Sequence, residues 1–386
     1  VITGSRANFL GGGVYFHSGG LAVDCSLIGN SADMRGGGAH CENGGELLRC
    51  LIRGNEEAKS SGGGGVSIGS TGTVRCCIIE SNRATYASGG YGGGIYCEGN
   101  GGLIENCWIR GNSGVWLGGG IFISGSSGGA RVRNSAILGN TIQYRGGGVY
   151  GGTLQNCTIV GNRAGETGGG TQNSSNRNCI VYYNTVNGEA QNTTGGVCAF
   201  TCTTPHPGGS GNIVSEPGLV SLTQPMITSN SPCMNAGSNA YAAGGFDLFG
   251  NPRTNGLTVD MGCHEFTASA LTGALSAVVS GEFSNSVRGF ELAFQGAING
   301  QPGGYAWNFG DGATASNSLF VSHTYGSSAD YPLVLTVWNN DGAASVTVRV
   351  HVVDGYTNYA ALTSAPLAPY TNWAQAALTI QEAIDA

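Results

Sequence analysis

The chain has 386 residues, 71 of them glycine, and a formal net charge of −7. Glycine is far above the ~7% that is usual, and charged residues, at 10%, are far below the usual ~25%. The absence of a Gly-X-Y period excludes collagen, and the acidic balance argues against a nucleic-acid partner. Because 40% of the residues are apolar, we expect a packed core and a folded chain.

No run approaches the ~20 apolar residues that a transmembrane helix needs, so we expect no membrane span in this segment. No basic and apolar leader opens the sequence, and residues 1–7 read like the strand and turn that precede a later glycine triplet. We therefore expect the sequence to begin inside a coil and to be a window from a longer tandem array.

A repeat of 22 to 30 residues fills the first half of the chain. Each unit has Gly-Gly-Gly, a short apolar strand, and then Cys-x-Ile-x-x-Asn or a close variant. A period in the twenties with no helical stretch is typical of a solenoid, whose coils bury their apolar faces only against neighbouring coils. The units end at Asn30, Asn55, Asn82, Asn112, Asn140, Asn162 and Asn184.

Each coil is predicted to contain two strands. The triplet supplies a corner with backbone freedom that a Cβ would forbid. One strand follows it, as at 14–16, and a second begins at the cysteine, as at 25–28. Alternation along the second strand points the cysteine and the residue two positions later into the core, and stacking about 4.8 Å apart gives parallel sheets along one axis.

The asparagines are predicted to occupy tight bends with left-handed backbone and to hydrogen-bond along the axis as an amide ladder. A ligand-binding row is the alternative that the residues leave open. The cysteines are predicted to pack in the core without partners, because cysteine is small and often buried. They are Cys25, Cys50, Cys77, Cys107, Cys157 and Cys179, with Ser135 in the remaining coil.

A line of thiols does not converge as a tetrahedral metal site requires, so we expect no metal and no cofactor. The chain has 13 cysteines, an odd number, so at least one has no partner within the chain. If a disulfide exists, we expect it outside the column, joining Cys198 to Cys202 or Cys233 to Cys263.

The stretch 146–164, with Gly-Gly-Gly-Val-Tyr and then Asn-Cys-Thr-Ile-Val-Gly-Asn, resembles the right-handed parallel β-helix repeat proteins of bacterial surface and secreted polypeptides. Motifs from 178–184 to Val-Asp-Met-Gly-Cys-His-Glu at 259–265 are similar to the terminal module of that family. The resemblance covers most of 11–266 and implies a β-helix that ends in an irregular cap.

Four charged residues in the cap, Asp247, Arg253, Asp260 and Glu265, have the composition of an active-site cluster. The alternative is that they fix an irregular backbone, and we favour it because Asp-x-x-Gly-Asn-Pro-Arg is a turn sequence. An uncovered end coil would also expose unpaired backbone groups to other chains, which gives the cap a structural purpose.

Beyond the cap, Trp-Asn-Phe-Gly-Asp-Gly at 307–312, His-Thr-Tyr at 323–325 and the alternating strand at 331–337 resemble a polycystic kidney disease (PKD) domain. The resemblance implies an immunoglobulin-like β-sandwich that acts as an extracellular spacer or contact surface, and short strands joined by turns fit it. We expect Trp307 in the core, and His323 and Tyr325 to brace the sandwich.

The last segment reads as a helix that begins near Thr371 and is similar to the helix that opens a β-helix domain in the same family. Its apolar positions, Trp373, Ile380 and Ile384, are candidate assembly contacts. The predicted domains are 1–197 (coils), 198–266 (cap), 267–354 (sandwich) and 355–386 (linker and short C-terminal helix). The predicted fold class is all-β: a right-handed parallel β-helix followed by a sandwich.

Enzymatic cleavage of polysaccharides would need carboxylates on adjacent coils beside a base. Glu42 and Glu98 share a column but lie two coils apart, as do Arg53 and Arg110. We therefore predict no enzymatic activity. A polysaccharide lyase or hydrolase is the less favoured alternative. A stripe of aromatic residues offers glycan binding as a second alternative. The stripe is Tyr15, Tyr96, Phe122 and Tyr150.

The favoured function is that of an extracellular or cell-surface structural polypeptide in which rigid rods alternate with sandwich spacers. Its partners would be further copies of itself, head to tail in a filament, because heterologous contacts that do not close propagate. Extracellular glycans are the alternative partners.

Overall fold

A computed structural model describes residues 1–354 apart from 61, 70, 100, 126–128, 255–257, 268–272, 281–285, 301, 303, 317–319 and 340. Within that part of the chain, strands and turns predominate and the one helical element is a 3₁₀ turn, Asn239–Tyr241. No helix there is long and apolar enough to cross a bilayer. The predicted C-terminal helix, with Trp373, Ile380 and Ile384, lies outside the described residues.

Residues 1–199 form a β-solenoid of about eight turns with four sheets, here called A, B, C and D in the order in which each coil passes through them. Sheet A contains Ile2–Thr3, Ser26–Ile28, Leu51–Arg53, Ile78–Glu80, Trp108–Arg110, Ala136–Leu138, Thr158–Val160 and Ile180–Tyr182. Sheet B contains Arg6–Ala7, Ser31–Ala32, Glu56–Glu57, Arg83–Ala84, Ser113–Gly114, Thr141–Ile142, Arg163–Ala164, Thr185–Val186 and Glu189–Ala190.

The other two sheets face the remaining sides of the solenoid. Sheet C contains Val14–Phe16, Ala39–Cys41, Val66–Ile68, Ile95–Cys97, Ile121–Ile123, Val149–Tyr150, Thr171–Gln172 and Thr193–Thr194. Sheet D contains Leu21–Val23, Glu46–Leu48, Thr73–Arg75, Leu103–Glu105, Arg131–Arg133, Thr153–Gln155, Ser175–Arg177 and Val197–Ala199. Pairing is parallel between equivalent strands of successive coils, except for the antiparallel Glu189–Ala190 at the end of sheet B.

The prediction of an all-β solenoid is confirmed, but two strands per coil was wrong, because each coil has four. The two-residue strand after the asparagine and the strand before the cysteine carry no strong repeat signature. Within the glycine triplets, close packing of backbones requires glycine. A Cβ on Gly64 would lie 2.4 Å from the carbonyl carbon of Arg83 and 2.5 Å from the carbonyl oxygen of Gly93, a separation that real Cβ atoms do not reach.

The solenoid core is a stack of aliphatic and cysteine side chains from sheets A, C and D. Each inward position repeats once per coil, so every layer packs on the layers above and below it. The middle residues of the sheet A strands are fully buried from the second coil to the eighth. They are Leu27, Ile52, Ile79, Ile109, Ile137, Ile159 and Val181.

The cap, 200–266, does more than close the end of the solenoid, because it folds back along the outer face of sheet A. Cys202 extends sheet A beyond Ile180 by one parallel bridge. Further along, the Cys263 amide donates to Thr158 Oγ1 at 3.0 Å. Phe249 of the cap packs edge-on against Trp108, with 5.7 Å between the ring centroids. Trp108 lies in sheet A, three coils before the last strand of that sheet. The cap therefore joins the last four coils from the side.

The C-terminal region is β-sandwich-like, as predicted. One sheet contains Ser276–Ser280, Glu291–Asn299 and Phe320–Thr324, and the other contains Ser286–Val287, Gly304–Asn308, Thr314–Ser316, Ala329–Asn339 and Gly342–Val353. Trp307 is buried in the core. His323 stacks on Phe309, with ring centroids 4.2 Å apart, and Tyr325 Oη donates to the Phe309 carbonyl at 3.0 Å. Both residues thus contact the sandwich interior.

A direct contact joins the sandwich to the cap. Tyr305 is fully buried, and its hydroxyl donates to the carbonyl of Leu219 in the cap at 2.8 Å. Gln224 of the cap also donates to Asn299 Oδ1 at 3.4 Å. The buried apolar side chains of the cap and the sandwich form one continuous cluster with the outer side of sheet A. The solenoid, cap and sandwich are therefore packed against each other.

Candidate functional surfaces

The seven asparagines that close the coils stack in one buried column. Each backbone N–H and each Nδ2 donates to the Oδ1 of the asparagine one coil later, as from Asn82 to Asn112 at 3.0 Å for both bonds. Each Nδ2 also donates to a carbonyl of the preceding coil, as from Asn112 to Ile79 at 2.9 Å. Asn192 continues the column beyond Asn184. The side chains are saturated by the solenoid itself.

The predicted left-handed backbone of these asparagines was wrong. In each coil the left-handed residue is the one before the asparagine, such as Gly54 with φ of 62° or Ser81 with φ of 56°. That residue makes the turn out of sheet A, which leaves the asparagine free to point inward.

The six cysteines of the predicted column stack just before the sheet A strands, whereas the asparagines stack just after them, and all but the partly buried Cys25 are buried. Cys77 Sγ donates to the Arg75 carbonyl at 3.1 Å and accepts from the Cys50 amide at 3.3 Å. Ser135 makes the same pair of bonds, to the Arg133 carbonyl at 2.7 Å and from the Cys107 amide at 3.1 Å. The column thus needs a small side chain with one donor and one acceptor.

All 13 cysteines are free thiols, including the two pairs considered for disulfides. Burial raises the pKa of Cys41 and of Cys97, on the facing sheet, to about 12, so these thiols stay protonated and are poor nucleophiles. No group of three or more His, Cys, Asp or Glu residues with metal-binding geometry occurs among the described residues.

The four charged residues of the cap are buried and hydrogen-bonded to backbone. Asp247 Oδ1 accepts from the amides of Phe249 and Asn251, both at 2.8 Å. Asp260 accepts from the amides of Asn235 and Phe266, both at 2.6 Å. Although burial raises the pKa of Asp260, these bonds partly oppose that effect. The carboxylates are thus occupied by turns of the cap.

Arg253 lies at the centre of this cluster and ties it to the solenoid. Its NH1 contacts Glu265 Oε2 at 3.4 Å and donates to the Gly262 carbonyl at 3.2 Å. Its NH2 donates to Asn134 Oδ1 of the solenoid at 3.0 Å. A cluster closed to solvent and bonded in this way offers no room for a substrate, and its geometry fits a structural role.

Charged groups on the outside of sheet C form pairs along the axis. Glu42 and Glu98 occupy one column with Gly69 between them, as the repeat predicts. His17 Nδ1 lies 2.6 Å from Glu42 Oε2. Arg35 extends across two coils to bind Glu98 through both nitrogens, with 3.0 Å between NH2 and Oε1. Each carboxylate is thus engaged with its own partner, and the two do not converge on one point.

A charged triad lies on the outside of sheet A, and the sequence predicted only the shared column of its two arginines. Glu80 stands between Arg53 and Arg110 on neighbouring strands. Its oxygens accept from Arg53 Nε at 2.5 Å and from Arg110 Nε at 2.8 Å. Burial raises the pKa of Glu80, but the two guanidinium groups outweigh this and hold it below the usual value. A general acid needs a raised pKa, so Glu80 is not suited to that role.

The aromatic stripe lies along sheet C as predicted, but its rings stack on one another. The ring centroids of Tyr96 and Phe122 are 5.4 Å apart, and those of Phe122 and Tyr150 are 5.6 Å apart. Tyr91 stacks on Phe122 as well, at 4.8 Å. Tyr96 and Phe122 are buried, and only Tyr15, at 43% exposed, presents much surface. Neighbouring rings thus cover part of each other's faces, while Phe122 and Tyr150 also line a cleft of about 540 Å³.

A cleft of about 700 Å³ lies where the solenoid, the cap and the sandwich meet. The solenoid contributes the charged residues, the cap contributes Leu222 and Thr223, and the sandwich contributes Gln295. The charged residues are Glu80, Arg110 and Arg163. Sequence reasoning had no signal for this cleft, because its walls come from three parts of the chain that are distant in sequence.

Comparison with known proteins gives two family matches. Residues 1–164 match the model described as right handed beta helix region, and residues 283–353 match the PKD domain model. One solved structure that matches is titled "Structural basis for the promiscuous specificity of the carbohydrate-binding modules from the beta-sandwich super family"; it is 22% identical, with a TM-score of 0.21. The match covers 22% of this chain and 37% of that one. No curated protein matches the chain.

Proposed function

The chain carries a right-handed β-helix region over residues 1–164 and a PKD domain over residues 283–353, and on this premise we propose that it is a rod-and-spacer segment of an extracellular structural polypeptide. Surface and secreted proteins commonly contain both kinds of domain. The observation that carries the proposal is the asparagine ladder, which runs through every coil from Asn30 to Asn184 without interruption.

A ladder of this kind suits a shaft. Every coil is joined to its neighbours by the sheets and by buried amide bonds, so local opening of one coil would leave several buried polar groups unpaired. Low charge and buried thiols leave few reactive groups on the shaft. The side-on cap and the docked sandwich extend this construction to the spacer.

Limited proteolysis and incubation with polysaccharides test the proposal together. We expect a nonspecific protease to leave residues 1–266 as one resistant fragment. We also expect no new reducing ends or unsaturated products from pectin- or alginate-like polymers, because Glu42, Glu80 and Glu98 and the cap carboxylates are each engaged with structural partners. Cleavage scattered through the coils, or product release from either polymer, would overturn the proposal.

Head-to-tail assembly into filaments stays a finer prediction of the sequence. Negative-stain images of concentrated protein test it: regular filaments support assembly, and isolated particles at every concentration contradict it. Glycan binding is the second candidate function, and the specific observation in its favour is the cleft between the three parts of the chain.

A further inference from the structure

We propose that the cleft between the solenoid, the cap and the sandwich is a binding site for a short acidic oligosaccharide. The proposal is independent of the structural role, and it rests on the second candidate function, glycan binding, for which it names the ligand class. At about 700 Å³ the cleft has the volume of a typical ligand site. Its walls come from three parts of the chain, so a bound ligand would touch all of them. Such a ligand would also hold the sandwich against the rod.

The charges in the cleft favour an anion. Arg110 and Arg163 line it, and the one acidic residue in the lining, Glu80, is already neutralised by Arg110 and by Arg53 behind it. Arg163 is exposed and makes no ion pair or side-chain hydrogen bond among the described residues. The cleft is thus positively charged, although the chain as a whole carries a net charge of −7. A guanidinium group without an ion-pair partner is well suited to bind a carboxylate.

The rest of the lining favours a hydroxyl-rich ligand. Thr185 and Thr223 bring hydroxyl groups, and Gln295 brings an amide. The partly buried side chain of Leu222 adds an aliphatic patch, whereas Leu138 and Val160 in the lining are buried. Alternating polar groups and aliphatic patches match the alternating hydroxyl and C–H surfaces of a sugar ring. An acidic peptide also carries carboxylates but lacks this density of hydroxyls, and it enters the test as a competing ligand.

The floor of the cleft leaves space for a chain that runs along the axis. Gly111, Gly139 and Gly161 occupy the left-handed turn of three successive coils and line the cleft. An added Cβ on Gly111 or Gly139 would meet no atom within 4 Å. The floor is therefore a continuous strip of backbone along the solenoid axis, to which each coil adds about 4.8 Å.

Titration calorimetry with the full chain tests the site, with trigalacturonate as the acidic probe, cellotriose as the neutral one and a triglutamate peptide as the competitor. We expect saturable binding of trigalacturonate alone, weakened by salt. Arg163→Gln should reduce the affinity about tenfold or more, the scale of one charged hydrogen bond. Arg83→Gln is the matched control, because Arg83 occupies the same column of sheet B outside the cleft. It should change the affinity less than twofold.

A second pair of variants tests the floor without changing charge. Gly139→Asn places a side chain in the cleft, and asparagine tolerates the left-handed backbone there. Gly29→Asn makes the same change at the equivalent turn of another coil, where a Cβ also has open space. We expect only Gly139→Asn to weaken binding. No binding of trigalacturonate, equal binding of cellotriose or triglutamate, or equal effects within either pair of variants would overturn the proposal.

Discussion

An asparagine of the ladder connects three coils through one side chain. Asn112 donates from Nδ2 to Ile79 in the coil before it and to Asn140 in the coil after it, while its Oδ1 accepts two bonds from Asn82. No aliphatic residue of similar size has this bonding capacity. The ladder therefore acts as a polar spine beside the apolar core.

Replacing one ladder asparagine should destabilise the whole shaft. Asn112→Ala leaves the buried amide of Asn82 and the carbonyl of Ile79 without their side-chain partners, and each unpaired buried group costs about 1–3 kcal/mol. We expect the free energy of unfolding to fall by about 3 kcal/mol in urea denaturation. Asn43→Ala, at an exposed asparagine, is the control, and its free energy of unfolding should fall by less than about 0.5 kcal/mol. Equal losses would contradict the role of the ladder.

A buried carboxyl group should make stability depend on pH. Glu57 is fully buried in a column between Ala32 and Ala84. Its Oε1 accepts from the amides of Lys59 and Ser60, at 3.0 and 2.5 Å. Burial raises its pKa to about 7, in spite of these bonds. The folded state therefore holds a proton that the unfolded chain releases at lower pH.

The free energy of unfolding should accordingly decrease as the pH rises from about 4.5 to 7, by up to about 3 kcal/mol. Glu57→Gln stays neutral and keeps an acceptor for both amides, so the variant should lack this decrease and be more stable than the parent at pH 8. Urea denaturation at pH 5 and pH 8 measures both effects. Glu56→Gln, at the outward neighbour, is the control, and a parent whose stability does not change between these pH values would refute the account.

At the scale of elements, the cap is held to the shaft by a series of long-range hydrogen bonds, among them those that Asn134, Asn156 and Asn178 donate to the cap backbone. Arg253 joins Glu265 and Gly262 within the cap to Asn134 on the solenoid. Because Arg253, Glu265 and Asn134 are buried, loss of the Arg253 guanidinium leaves the Glu265 carboxylate without its cationic partner and Asn134 Oδ1 without this donor. Arg253 is therefore one buried member of a larger set of bonds that attach the cap to the shaft.

Arg253→Met should weaken the attachment of the cap and lower the free energy of unfolding by about 3–5 kcal/mol, the scale for breaking a buried ion pair. We expect new protease cleavage within 200–266 while the coils stay protected. Arg177→Met is the control, because Arg177 lies 5.0 Å over the centroid of the partly buried Tyr241 ring of the cap and such contacts contribute about 1 kcal/mol or less. A cap that stays resistant in Arg253→Met would show that this arginine is dispensable.

The repeat predicted some elements well and others poorly. Glycine triplets and asparagines mark corners, where the backbone restricts the residue type, so their spacing predicted the coils. The strands of sheet D, such as Leu21–Val23 and Ser175–Arg177, share only one inward residue, and so carried no signal. The column of Arg53 and Arg110 was predicted, but Glu80 between them was missed, because loop lengths after the triplets differ from coil to coil. Counting back from the asparagines places all three in one row, since each lies two positions before its asparagine.

Over the whole molecule, the long-range packing was beyond sequence reasoning. The bond between Arg253 and Asn134 joins residues 119 positions apart, and the contact of Tyr305 with Leu219 joins two modules. Neither contact recurs from coil to coil, so no sequence periodicity predicts it. The cleft exists only because of this packing, and the sequence gives no pattern that would locate it.

The sandwich should separate from the rod when its contact with the cap is weakened. Tyr305→Phe leaves the buried carbonyl of Leu219 without its donor, at a cost of about 1–3 kcal/mol. We expect small-angle X-ray scattering to show a larger radius of gyration for the variant. Tyr331→Phe removes an exposed bond to Ser327 and is the matched control. An unchanged radius in both variants would indicate that the apolar cluster alone holds the sandwich.

Immunogold labelling of intact source cells, with antibodies against this chain, tests the structural role most directly. The account predicts gold particles outside the cell, on extended material, and loss of the label when surface proteins are stripped by a protease that cleaves between the folded modules. Label that appears only after the cells are opened would contradict an extracellular structural role.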